Sequence, residues 1–130
     1  MNNIENNFVP YQIALDMKEL GFDEPCIKGF YNKEPIYTVV TTPVDFNNKK
    51  QLGELLSAPL YSQCFDWFRE KYNLFHSITE YNKDGSLIIE ISKNRVEIFR
   101  KMTAFDITEY KEAELECIKQ LIITVKNGNK

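Results

Sequence analysis

His76 is the only histidine of the chain, and Cys26, Cys64 and Cys117 are its only cysteines. A thiol and an imidazole can act as nucleophile and base wherever a fold brings them together, whatever their separation in sequence. Here Cys64 lies on the apolar face of a helical stretch and Cys117 on the apolar stripe of another. A buried thiol keeps its proton and is inert. His76 falls in a strand-like run, Leu74–Tyr81, where a half-buried, hydrogen-bonded side chain is expected. One histidine with no cysteine at ligand spacing does not make a His-rich zinc site. Asp66 and Glu70, one helical turn apart, could chelate a cation, but with Arg69 between them they read as a solvated face. The sequence contains no glycine-rich phosphate loop, no G-x-S-x-G elbow and no EF-hand pattern. The expectation is no catalytic residue, no metal site and no cofactor. A small enzyme using His76 is the least favoured alternative.

The other concentration of chemistry is electrostatic. Lys93, Arg95, Arg100 and Lys101 fall within nine residues, with Glu97 alone opposing them. Such a cluster could meet an acidic partner or a phosphate backbone. It would equally suit an edge strand whose charges discourage sheet-to-sheet aggregation. The chain as a whole carries a net charge of −3 and has a pI near 5.2. That disfavours a dedicated nucleic-acid binder, whose affinity rests on neutralising phosphates. The four residues stand as a candidate interaction patch, with a nucleic-acid accessory role through residues 93–101 as an alternative.

The stretch Ser57–Asn73 must position much of this. It holds the only tryptophan and the densest aromatic cluster. At 100° per residue, Leu60, Tyr61, Cys64, Phe65, Trp67, Phe68 and Tyr72 fall within about 160° of arc, and Ser62, Gln63, Asp66, Arg69 and Glu70 fill the other side. This is a core helix, capped at Ser57 or Ala58, with Pro59 in its first turn and Asn73 as its left-handed stop. Lys71 alone among the charged residues enters the apolar arc, where its stem can lie along the surface.

Residues 1–8 are polar, Asn-rich and expected to be flexible. Pro10–Leu20 predicts a short helix with Ile13, Ala14, Met17 and Leu20 as its stripe, Gly21 as its stop and Phe22 folding back on Met17. Cys26–Tyr31 and Ile36–Thr42 predict a hairpin turning at Asn32–Pro35. The 43–56 segment is irregular, reads as a mobile connection, and could add one helical turn at Gln51–Leu56. Leu74–Tyr81, Leu87–Ser92 and Arg95–Arg100 predict three antiparallel strands, with turns at Asn82–Gly85 and Lys93-Asn94, and with Val96 and Ile98 inward. A last helix, capped at Asp106 or Thr108, runs to about Lys126 on Tyr110, Ala113, Cys117, Ile118, Leu121, Ile122 and Val125.

The expected class is α+β, in the order α-ββ-α-βββ-α: a mostly antiparallel sheet with helices packed on one face. With 130 residues, the chain reads as a flexible 1–8 followed by a single domain, 9–130. The open sheet face must be polar or covered by a partner, and Tyr37, Phe75 and Phe99 could form an apolar patch there. An odd number of widely spaced cysteines predicts free thiols in a reducing compartment, hence a cytoplasmic location. No secretion signal is legible at the N-terminus, and no apolar run approaches a membrane span. The function expected is a small non-enzymatic interaction or accessory protein that binds a protein partner or itself.

The segments Phe-Val-Pro-Tyr-Gln-Ile-Ala-Leu (8–15), Glu-Leu-Gly-Phe-Asp-Glu-Pro-Cys (19–26), Ser-Ala-Pro-Leu-Tyr-Ser-Gln-Cys-Phe-Asp-Trp-Phe-Arg-Glu-Lys (57–71) and Tyr-Lys-Glu-Ala-Glu-Leu (110–115) resemble a family of short uncharacterised proteins of phages and prophages of gut bacteria. The resemblance covers most of the chain outside 32–56. It implies an accessory protein acting inside a bacterial cell, and it carries no functional residue. From Pro59 onward the expected order α-β-β-β-α is also similar to a double-stranded-RNA-binding domain. Such domains open their last helix with basic residues, whereas here the helix opens with Thr108-Glu109-Tyr110-Lys111-Glu112. Topology by itself assigns no function.

Overall fold

A computed structural model describes residues 7–31, 33–37, 55–80, 86–102 and 110–128. In chain order these form α1 (Tyr11–Glu19), β1 (Lys28–Tyr31), β2 (Glu34–Tyr37), β3 (Leu55–Ser57), α2 (Tyr61–Tyr72), β4 (Leu74–Glu80), β5 (Leu87–Lys93), β6 (Val96–Met102) and α3 (Tyr110–Gly128). The class is α+β and all strand pairing is antiparallel. The strands make two three-stranded sheets, β2-β1-β3 and β4-β5-β6, where one sheet was expected. β3, a strand the sequence did not announce, completes the first sheet on the side of β1 opposite β2. The chain divides into two compact units, residues 1–63 and 64–130, with the boundary inside α2.

In the first unit, α1 ends as its sequence predicts. Gly21 takes φ 97°, its N–H donates to the Lys18 carbonyl and that of Phe22 to the Met17 carbonyl, both at 3.0 Å. This is the Schellman pattern, and Met17 and Phe22 are both buried. The β1–β2 hairpin is tighter than expected, with Tyr31 opposite Glu34. Lys33 has φ 71°. Pro35 therefore lies within β2, opposite Phe30, which is tolerable because β2 is an edge. Phe8 is 4% exposed; it bridges to Leu60, and the Val9 N–H donates to the Pro59 carbonyl at 3.0 Å. Residues 1–6 of the stretch expected to be flexible lie outside the described residues.

Lys28 of β1 is 4% exposed. Its ammonium lies 5.3 Å from the Phe8 ring centroid, 4.9 Å from that of Phe30 and 5.6 Å from that of Tyr37. Three ring faces thus replace part of its hydration.

The helix α2 begins at Tyr61, later than a cap at Ser57 or Ala58 would put it. Ser57 belongs to β3, and the Ala58 N–H donates to the Lys28 carbonyl at 3.0 Å. Gln63 does the capping instead: its Oε1 accepts from the Leu60 N–H at 3.1 Å, and its Nε2 donates to the Pro25 carbonyl at 3.0 Å.

In the second unit, Cys64, Phe65, Trp67 and Phe68 of α2 are buried, as the wheel predicts. The Lys71 ammonium lies 5.2 Å from the Trp67 ring centroid, its stem following the apolar arc. α3 packs on β5 and β4 through the predicted stripe, with Ala113, Cys117, Ile118, Leu121, Ile122 and Val125 all buried. Tyr110, placed on that stripe by its spacing, is exposed at the helix start. The expected caps at Asp106 and Thr108, the Asn82–Gly85 turn and the 43–54 part of the irregular segment lie outside the described residues. No helix among the described residues is long and apolar enough to cross a membrane.

Candidate functional site

The second sheet alternates as a half-covered sheet must. One face carries Leu74, His76 and Ile78 from β4, Leu87, Ile89 and Ile91 from β5, and Phe99 and Lys101 from β6. Lys101 identifies this as the α3 side, because its Nζ reaches Glu116 of α3 at 3.6 Å. The other face carries the rows Phe75–Ser92–Glu97, Ser77–Glu90–Arg100 and Thr79–Ile88–Met102. Phe75 is 46% exposed and Met102 50%. Phe75 and Phe99, expected to share a patch, stand on opposite faces, and Tyr37 belongs to the first unit.

A bulge explains why the inward assignment of Ile98 in β6 fails, whereas Val96, opposite Lys93, keeps the α3-side row and is exposed beside the turn. Ile91 pairs with Phe99 but Ser92 pairs with Glu97, leaving Ile98 as the extra residue. Ile98 is 47% exposed, Val96 is 61% exposed, and Phe99 takes the inward row half-buried.

The four basic residues of the candidate patch are separated by this geometry. Arg100 Nε lies 3.8 Å from Glu90 Oε2 and 4.0 Å from Glu97 Oε1 on the open face. Glu97 has its carboxyl pKa raised, first by a hydrogen bond with Glu90, and Arg100 opposes the shift. The middle of the open face is thus two carboxylates around one guanidinium. Lys101 is on the α3 side. Lys93 borders a small cavity of about 130 Å³ with Tyr72, Leu74, Thr124, Val125 and Gly128. Among the described residues no ion pair involves Lys93 or Arg95.

Arg95 sits in the β5–β6 turn. Lys93 lies opposite Val96, so Asn94 and Arg95 form the two-residue connection, one position later than the expected Lys93-Asn94. Their φ values are 54° and 69°, the signature of a type I′ turn. Asn73, the left-handed stop of α2 at φ 56°, donates its N–H to the Arg69 carbonyl at 3.1 Å. The Asn73 side-chain amide donates to Asn94 Oδ1, tying the helix end to the turn. Between them opens a pocket of about 560 Å³ lined, among the described residues, by Asn73, Phe75, Ser92, Asn94 and Arg95. Three non-glycine residues in left-handed conformation therefore border one pocket. Strain of this kind clusters where a structure holds a side chain for a purpose.

His76 lies flat against Phe65, with ring centroids 3.6 Å apart and planes 9° apart. Burial and the Arg69 charge lower its pKa, against a smaller upward pull from Asp66. Asp66 itself is bonded to Arg69 on the surface of α2. None of the three cysteines is in a disulfide, and all three are buried. Burial pushes the Cys117 thiol up to about 12, with the Glu114 charge adding to the shift. Among the described residues no three His, Cys, Asp or Glu side chains converge as metal ligands do.

No family model, curated protein or solved structure matches the chain. From α2 onward the element order is α-β-β-β-α as expected. The described start of α3 pairs Lys111 with Glu114 at 3.2 Å and supplies Glu116 to Lys101, which consumes basic charge at that helix end.

Proposed function

We propose that the chain is a non-enzymatic interaction module that engages a protein partner through the open face of the β4-β5-β6 sheet. The observation that carries this reading is the exposure of Phe75, Ile98 and Met102 on and beside one sheet face, next to a pocketed turn whose arginine is in no ion pair among the described residues. These apolar side chains flank the charged middle row of the face, and exposed apolar side chains rimmed by polar ones are what an interaction site presents. A nucleic-acid accessory role is less well supported, because Arg100 and Lys101 are engaged by Glu90, Glu97 and Glu116. An enzyme built on His76 is less well supported still, because that ring is stacked on Phe65 rather than set beside a nucleophile.

The wider context belongs to the same proposal. The module acts as an accessory protein inside a bacterial cell, of phage or prophage origin. The four resembling segments support the origin, and three buried cysteines outside any disulfide suit a reducing cytoplasm.

The test is size-exclusion chromatography with light scattering on protein purified from cells, at low and high salt. A co-eluting protein or a dimer is expected, and the variant Phe75→Asp/Met102→Asp should lose it. A bare monomer, or an assembly indifferent to both substitutions, contradicts the reading. A nucleic-acid absorbance that disappears at high salt would transfer the function to residues 93–101.

A further inference from the structure

The pocket between the end of α2 and the β5–β6 turn is donor-rich. The Arg95 guanidinium supplies a fixed positive charge. Asn73 spends one amide hydrogen on Asn94 Oδ1, which leaves the Asn94 amide nitrogen as a donor toward the pocket rim. Ser92 adds a hydroxyl, and Phe75 adds a half-exposed ring as the apolar wall. A lining with these donors, one cation and one ring suits an anion attached to an apolar body. At about 560 Å³ the space matches ordinary ligand pockets.

The surroundings decide which anion. Farther along the same face stand Glu90 and Glu97 around Arg100. Glu97 neighbours Ser92 across the strand but does not line the pocket. A polyphosphate backbone leaving the pocket along the sheet would meet those carboxylates. A single carboxylate flanked by apolar residues would not.

We propose that this pocket docks an acidic peptide segment, with Arg95 taking a side-chain carboxylate and Phe75 packing on the apolar residue beside it. This rests on the interaction-module reading and names the partner's chemistry. It also accounts for the turn. Glycine is the favoured second residue of a type I′ turn, and Arg95 holds that position at φ 69° instead. An arginine kept there is aimed by the turn itself.

The test is an amide NMR titration of the full chain with three probes: a capped leucine–glutamate–leucine peptide, its glutamine counterpart, and oligothymidylate. The glutamate peptide should shift the amides of Asn73, Phe75, Ser92, Asn94 and Arg95 and bind about tenfold more tightly than the glutamine peptide. Arg95→Gly should remove that preference without lowering the melting temperature, so the loss cannot be ascribed to unfolding. Equal binding of the two peptides, stronger binding of oligothymidylate, shifts elsewhere, no shifts, or an unchanged preference in Arg95→Gly overturns the proposal. Any of these, with a partner complex still lost in Phe75→Asp/Met102→Asp, removes the acidic-peptide assignment alone. A complex that survives that variant removes the interaction module.

Discussion

Arg95 pays a conformational cost that its neighbours do not relieve. A left-handed conformation costs a residue with a Cβ about 1–2 kcal/mol, and glycine would avoid it. Arg95→Gly is therefore expected to stabilise the chain by about 0.5–1 kcal/mol in urea denaturation. His76 offers a second residue-scale prediction. Its pKa is lowered in the folded chain by burial and by Arg69, so below the ordinary value near 6.5 the unfolded chain binds the extra proton first. The stability this residue contributes is full above that value and falls as pH drops through it toward the folded pKa. His76→Phe, which keeps a flat ring over Phe65, should flatten the pH dependence of the urea midpoint between about pH 8 and about pH 5.5. Arg69→Ala should raise the His76 pKa, read from the ring resonances.

At the scale of elements, α2 and its stop organise the second unit. Asn73 supplies both a left-handed backbone and an amide for Asn94. Asn73→Ala and Asn73→Gly both lose the amide, but only alanine is strained at φ 56°. Alanine should therefore be less stable than glycine by about 1 kcal/mol in the same denaturation. Periodicity made α1, α2, α3 and the β4-β5-β6 order legible in the sequence, because long amphipathic stretches carry redundant information. The Schellman end of α1 was legible to the residue, since Gly21 and Phe22 fit no other ending as well. What periodicity misses is short or displaced. β3 is three residues, too brief for an alternation to register. Ile98 was misplaced because a bulge shifts the phase of β6 by one residue. The turn at Asn94-Arg95 was read one residue early because arginine stands where glycine would announce it. The pocket was legible only in pieces: Arg95 and Phe75 stood out by type, but nothing in the spacing brings Asn73 beside Asn94. The ring faces around Lys28 were likewise hidden, since they come from Phe8, Phe30 and Tyr37 on three separate segments.

For the whole molecule, the decisive fact is that the boundary between the units falls inside α2. Gln63 serves the first unit through Leu60 and Pro25, and Cys64 begins the buried face that serves the second. Thermal unfolding followed by Trp67 fluorescence and by far-UV circular dichroism is expected to give one coincident transition. Two separated transitions would show that the helix breaks at the boundary. Fragments cut between Gln63 and Cys64 should each fail to unfold cooperatively, because α2 would be left without either its cap or its body.

The three buried sulfurs make this separation measurable without any added probe. Cys26 lies in the first unit, Cys64 at the boundary and Cys117 on the buried face of α3. A maleimide or disulfide reagent reaches each one only when its surroundings open, so the alkylation rate of each site records how often that part of the chain breathes. Equal rates at all three positions mean that the chain opens as a whole. A fast Cys26 beside a slow Cys117 means that the first unit opens alone, with Cys64 showing on which side of the event the shared helix falls. The molecule thus carries a three-point chemical clock for its own opening.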